Sequence, residues 1–117
     1  MSADNEHRKG EILLSIARAA ISQALGIPSV ETAEDADWLQ EKAACFVTLS
    51  QHGELRGCIG TLEAQRSLLD DVKANAIAAA LKDTRFPALR SEELDGTDIE
   101  ISLLSPMQAL TFASEEE

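Results

Sequence analysis

Few residues of this chain have chemistry to offer, and most of them fall in one hexapeptide, Leu55-Arg56-Gly57-Cys58-Ile59-Gly60. Cys58 is its candidate nucleophile. The thiolate attacks where the thiol does not, and Arg56, two residues away, is a cation that favours the thiolate. A catalytic thiol also needs a base, and neither His7 nor His52 is placed by spacing to serve Cys58. The plainer reading of Cys58 is a small hydrophobe in an apolar strand. Gly57 and Gly60 also carry two readings. They let a ligand approach exposed backbone amides, or they let a helix pack close to the strand. Arg85, in Asp83-Thr84-Arg85-Phe86-Pro87, is either a cation favoured by a helix C-terminus or a partner of Arg56 in an anion-binding surface. The candidate residues are thus Cys58 for catalysis and Arg56, Gly57, Ile59, Gly60 and Arg85 for binding.

Metal chemistry fits poorly. Structural zinc takes four ligands in tight pairs, whereas His52 falls in a turn and His7 in the polar start of the chain. The acidic stretch Val30 to Glu41 reads as a solvated face, because a run of carboxylates does not by itself converge on an ion. A phosphate-cradling loop ending in Lys-Ser/Thr is also missing. No metal and no cofactor are expected.

The elements that must position these residues follow from periodicity. Ile12, Leu13, Ile16, Ala17, Ala20, Ile21, Ala24 and Leu25 form one apolar stripe at helical spacing, so a helix is predicted over about 11–25. Gly26 and Pro28 end it. A short helix or turn is expected around Trp38 and Leu39. Ala44 to Ser50 is a strand by its β-branched and aromatic content, Gln51-His52-Gly53-Glu54 is a turn, and Leu55 to Leu62 returns as a second strand. Ser67 with Asp70 resembles a capping box opening a helix over about 67–82, with an Ala-rich buried face. Ile99 to Leu103 alternates as a further strand, and Pro106 breaks it. The fold class is α+β: an antiparallel sheet with a central β-hairpin, about 44–62, flanked by two helices. The chain divides into a mobile polar start at 1–9, one domain at 10–112 and an acidic tail at 113–117.

A turn centred on His52-Gly53 makes paired residue numbers sum to a constant. Val47 would then oppose Cys58, Cys45 would oppose Gly60, and Leu49 would oppose Arg56. That register gathers Cys45, Val47, Leu49, Arg56, Cys58 and Gly60 on one face. Cys45 and Cys58 become diagonal neighbours about 7–8 Å apart, too far for a comfortable disulfide, so two free thiols are expected. Both faces of the hairpin are largely apolar and should be substantially covered. A bulge, for which Gly57 or Gly60 is a natural host, would break this parity.

Composition narrows the function classes. The formal net charge is −11, which disfavours binding to nucleic acid or to an anionic membrane. Between His52 and Arg90, however, six basic residues meet five acidic ones, so this third is near neutral and the remainder carries −12. An anion site in the middle of the chain is compatible with that split, as is ordinary helix ion pairing. RNA binding at Arg56, Arg66 and Arg85 is the least favoured reading. No apolar run approaches the roughly 18 residues of a membrane span. The first ten residues are too polar for a secretory signal, and two cysteines without one point to reduced thiols in the cytoplasm. Hydrophobic residues make up 44% of the chain, yet 18 residues are Ala and only Trp38, Phe46, Phe86 and Phe112 are aromatic. Such a core buries little area per residue, so modest stability is expected, or apolar surface left over for a partner.

These residues resemble the AMMECR domain family, also called AmmeMemoRadiSam system protein A. The resemblance runs through Ala44-Cys45-Phe46-Val47-Thr48-Leu49 and Gly53-Glu54-Leu55-Arg56-Gly57-Cys58-Ile59-Gly60-Thr61-Leu62. It continues through Leu69-Asp70-Asp71-Val72, Asn75 to Ala80, Asp83 to Pro87 and Ile99 to Pro106. It implies an α+β fold and a chain that lacks the family's C-terminal portion. Arg56-Gly57-Cys58-Ile59-Gly60 is the family's proposed functional motif. Members are encoded alongside a radical-SAM protein and a Memo-like protein. The resemblance therefore implies a binding or accessory component of a modification or redox pathway, with an enzyme using Cys58 assisted by Arg56 as the alternative. Oligomeric state does not follow from any of these features.

Overall fold

The structure, a computed structural model, describes residues 3–29, 32–104 and 109–113, with side chains described from Arg8 onward and, in the last segment, from Thr111. Helix α1 (Ala3–Ala24) begins well before the apolar stripe does, so the polar residues from Ala3 onward are helical. Leu13, Ile16, Ala17 and Ile21 are fully buried along the stripe. The helix stops where Gly26 takes φ +77°, and Ile27 N–H donates to the Ser22 carbonyl at 3.0 Å. That left-handed residue and its backward hydrogen bond satisfy carbonyls left open by the last turn.

A 3₁₀ turn at Asp37–Gln40 then buries Leu39. Strands β1 (Ala44–Gln51) and β2 (Glu54–Gly60) form the hairpin. His52 and Gly53 both have positive φ, +54° and +79°, the pattern of a I′ turn, whose twist matches that of the strands. Helix α2 (Leu68–Leu81) starts where the Ser67 hydroxyl accepts the Asp70 N–H at 3.1 Å. A 3₁₀ turn at Ser91–Gly96 leads into β3 (Asp98–Leu104). Arg18 ties this turn to α1 by donating to the carbonyls of Leu94 and Thr97.

A fourth strand, β4 (Ala109–Ala113), was not expected from the sequence. The sheet is antiparallel throughout, in the order β2-β1-β3-β4, so β1 is interior and β2 lies at an edge. The expected strand break at Pro106 lies outside the described residues, as does the acidic tail expected at 113–117 apart from Ala113, which ends β4.

Both helices pack on one face of the sheet. Val47, Leu49, Ile99 and Ile101 are at most 1% exposed and meet Val72, Ala76 and Ala79 of α2 in the core. Each of the buried Val, Leu and Ile side chains contributes roughly 1.5–3 kcal/mol relative to exposure, and each Ala less. The other face carries Phe46, Thr48, Cys58, Gly60 and Ser102, all half-buried, and Glu100, which is exposed. The expectation that the hairpin is covered on both sides therefore fails among the described residues. Both helices follow the Leu, Ile and Ala stripes to a single face, and no described element lies over the other.

Candidate functional site

The register of the hairpin decides where the motif points. Ser50 opposes Leu55, but Leu49 opposes Gly57, so Arg56 is an extra residue without a partner across the ladder. This β-bulge shifts everything beyond it by one position. Cys58 therefore opposes Thr48 rather than Val47, and Gly60 opposes Phe46 rather than Cys45. Leu49, Val47 and Cys45 share the helix-facing side with Gly57 and Ile59. Cys58 and Gly60 lie on the open side with Thr48 and Phe46. The expected grouping of Arg56, Cys58 and Gly60 with Cys45, Val47 and Leu49 is thus overturned, and the cause is the single extra residue at Arg56. Both cysteines are free, as expected. They lie on opposite faces of the sheet, a stronger bar to a disulfide than the anticipated diagonal spacing.

Cys58 is anchored through its backbone. Its N–H donates to Asp83 Oδ2 at 3.0 Å, and its carbonyl accepts from Arg85 Nη2 at 3.4 Å. Both groups point away from β1, so the Thr48–Cys58 pair is of the non-hydrogen-bonded type, in which facing side chains sit closest. The Cys58 Sγ accordingly lies 3.2 Å from Thr48 Oγ1. Asp83 also accepts Arg85 N–H, Nε and Nη2, at 3.1, 3.0 and 2.7 Å. This fork of guanidinium bonds, followed by the Cys58 amide, holds the Asp83 carboxyl well below the usual carboxylate range. The same pairing raises the pKa of Arg85. The Arg85 guanidinium carbon lies 5.4 Å from the centroid of the Phe86 ring. At the helix end where sequence reasoning left two roles open, Arg85 holds the strand edge.

Arg56 reaches the same connecting segment. Its guanidinium donates to the Pro87 carbonyl at 2.8 Å, to the Ala88 carbonyl at 3.5 Å and to Glu93 Oε1 at 3.3 Å. Its side chain is only 12% exposed. Glu93 also accepts the Arg90 N–H at 2.8 Å, and that bond, with the charges of Arg56 and Arg90, lowers its pKa. The bulge thus turns Arg56 onto the segment after α2 and away from the Cys58 thiol.

The glycines divide between the two faces. A Cβ on Gly57 would strike the Ala79 carbonyl oxygen in the backbone of α2, and one on Gly60 would enter the ring of Phe46. Gly57 thus lets α2 lie against β2, and Gly60 lets Phe46 lie flat over the open face. Ile59 is half-buried and packs against the core on the helix side.

A second polar cluster sits at the far end of the hairpin. Asp71, in the first turns of α2, is fully buried and accepts four donors: Cys45 N–H at 2.9 Å, Thr61 Oγ1 at 2.8 Å, Arg66 Nε at 2.8 Å and Asn75 Nδ2 at 3.1 Å. Asn75 also donates to the Cys45 carbonyl at 3.0 Å. Burial, then the neighbouring Asp71, pushes the Cys45 thiol up to about 12. Sequence reasoning named Asp71 and Asn75 only within the stretches of resemblance and assigned them no role. The available signal was a pair of polar residues four apart on the Ala-rich buried face of a predicted helix.

Chemically, the open face offers the half-buried Cys58 thiol beside the Thr48 hydroxyl, with the Glu100 carboxylate across the ladder from Thr48 and the Ser102 and Thr111 hydroxyls, 3.1 Å apart, farther along. His52 lies in the turn, four residues along the strand from Thr48, a distance of about 13 Å. Among the described residues no three His, Cys, Asp or Glu side chains converge as a metal site, and no helix is long and apolar enough to cross a membrane.

The sequence model of the AMMECR1 family matches residues 14–116. A curated protein of Methanothermobacter thermautotrophicus is 41% identical over 108 residues, covering 91% of this chain and 56% of its own length. One from Pyrobaculum aerophilum is 40% identical over 108 residues, covering 87% of this chain and 51% of its own. The crystal structure of an uncharacterised protein from Pyrococcus horikoshii is 36% identical, with a TM-score of 0.74 over 83% of this chain and 51% of that one. The chain thus spans about half the length of the curated relatives it matches. With a family match that includes the whole hairpin, both clusters and the Asp83-Arg85 clamp, the chain belongs to the AMMECR1 family.

Proposed function

We propose that this protein is a binding or accessory component that acts with a radical-SAM protein and a Memo-like protein in a cytoplasmic modification or redox pathway, as part of the AmmeMemoRadiSam system. One observation supports it above the others. Arg56 and Gly57 of the motif are engaged inside the fold, while Cys58 and Thr48 stand on a sheet face that no described element covers. The Cys58 thiol meets a hydroxyl rather than a histidine or a carboxylate, which suits contact better than turnover. Docking through that face joins the motif to an uncovered, partly apolar surface. Co-purification of the intact domain with the two folded partners tests the reading. Retention that is lost on Thr48→Arg is the expected result, and no association at any ratio of folded components sinks it.

A second reading makes Cys58 a nucleophile. It is favoured by the partial exposure of the thiol and by the Arg85 guanidinium bonded to the carbonyl of the same residue. On this reading the assisting cation is Arg85, because Arg56 is engaged with Pro87 and Glu93. The rate of Cys58 alkylation against pH separates the two. A thiolate formed well below the ordinary cysteine range supports catalysis, and an ordinary or raised midpoint removes it.

A further inference from the structure

We infer that the segment following α2 is an edge guard: Asp83 and Arg85 stand in for a fifth strand on the free edge of β2 and keep a second copy of this chain from pairing there. A strand in an antiparallel sheet offers its neighbour an N–H and a C=O from every second residue. At Cys58 both outward groups are taken, and by side chains of opposite kind. The Asp83 carboxylate accepts the N–H at 3.0 Å, and the Arg85 guanidinium donates to the C=O at 3.4 Å. Asp83 is 95% buried at its side chain, and three further bonds from Arg85 hold it in place. Arg56 fixes the rest of the segment by its bonds to Pro87, Ala88 and Glu93. The Leu89 N–H is tied to the Ala80 carbonyl at 2.8 Å.

The edge needs such a device. β2 carries Leu55, 45% exposed, and is followed two residues on by Leu62 at 82%, the two large apolar side chains that stand most exposed among the described residues. An open edge bordered by apolar side chains is a template for pairing with another chain. The occupant excluded is a second β2, because antiparallel β2–β2 pairing across a two-fold axis would bring Cys58 opposite or near its own copy and bury both leucines. The bulge at Arg56 helps, since bulges twist an edge out of register for pairing. This role concerns the sheet edge and does not depend on what binds the open face.

Two measurements on the full 117-residue chain test it, both under reductant and at about 0.15 M salt, where the net charge of −11 is largely screened. Amide hydrogen exchange of the native chain should show the Cys58 N–H protected by about 100-fold or more, although it faces outward from an edge strand. Exchange at the unprotected rate overturns the inference. Sedimentation equilibrium of Asp83→Ala/Arg85→Ala should then show a dimer where the native chain is monomeric. A folded double variant that stays monomeric also overturns it. If the double variant does not fold, Arg85→Ala, which frees the Cys58 carbonyl, is read in the same way: self-association supports the guard, and a folded monomer refutes it.

Discussion

Replacing Gly57 with alanine puts a methyl group against the Ala79 carbonyl oxygen, whereas the same change at Gly60 puts it against the ring of Phe46. The two glycines are three residues apart in one strand, yet the costs should differ. At Gly57 the obstacle is helix backbone held by its own hydrogen bonds, so strand and helix must separate. Overpacking of that kind costs about 1–3 kcal/mol, and an immovable wall puts it at the upper end. Relief from the entropy of glycine in a strand offsets roughly 0.5–1 kcal/mol. A net loss of about 1–2 kcal/mol is expected, which for a domain of this size is a fall in Tm of several degrees. At Gly60 the obstacle is a side chain on the open face, which can rotate toward solvent. The steric cost and the entropic gain then roughly cancel, within about 0.5 kcal/mol. Urea denaturation of both variants reads the difference as a shift in midpoint at unchanged slope. A Gly60→Ala loss equal to or larger than that of Gly57→Ala would refute the assignment of these residues to opposite faces of the sheet.

The remaining expectations concern the two polar clusters and the two thiols. Asp71→Ala leaves the Cys45 amide, Asn75 and Arg66 without their shared acceptor and should cost about 3–5 kcal/mol, whereas Asp71→Asn should cost less because it keeps one acceptor oxygen; denaturant midpoints measure both. Asp83 has a folded pKa held below its unfolded value, so its stabilising contribution is complete above about pH 4 and is lost as pH falls further. Glu34 and Glu93 are shifted in the same direction. Tm should therefore fall between about pH 4 and pH 2, less steeply in Asp83→Asn, and equal slopes in the two proteins would show that Asp83 is not responsible. Of the two thiols, Cys58 should react with a bulky disulfide reagent in the native state, and Cys45, buried and pushed up to about 12, should react only on unfolding. Cys58→Ser should abolish the native signal, and a residual equivalent of reactive thiol would place Cys45 at the surface.

Much of this architecture is legible in residue pattern. The apolar stripe of α1, its stop at Gly26, the Ser67 cap and the alternation at Ile99 to Leu103 are local signals, and the elements formed there agree with them. β4 is not legible, because Ala109 to Ala113 is five residues long and is held as a strand by pairing with β3. The open face is not legible either, since an apolar residue does not state which element will cover it. The candidate site falls between these cases. Its residue types were visible, but its geometry turns on one unpaired residue, and a bulge leaves no mark on a period-two pattern beyond a glycine that permits it.

That one residue reconciles the demands on the motif. With the bulge at Arg56, Gly57 faces the helix, where a side chain would strike backbone, and Cys58 faces away from the core. In the regular register the two would exchange faces. Arg56 would stand opposite Leu49, at the point where the Ala79 carbonyl leaves room only for a glycine, and Cys58 would face the core opposite Val47. The buried charge and the steric clash would each cost several kcal/mol. In the bulged register Arg56 instead reaches the Pro87 and Ala88 carbonyls and Glu93, and in doing so holds the segment that carries Asp83 and Arg85. Arg56, Gly57 and Cys58 thus form a packing unit whose three members take three directions: along the edge, into the helix and onto the open face. The thiol is the one member whose side chain the fold leaves partly free for another molecule.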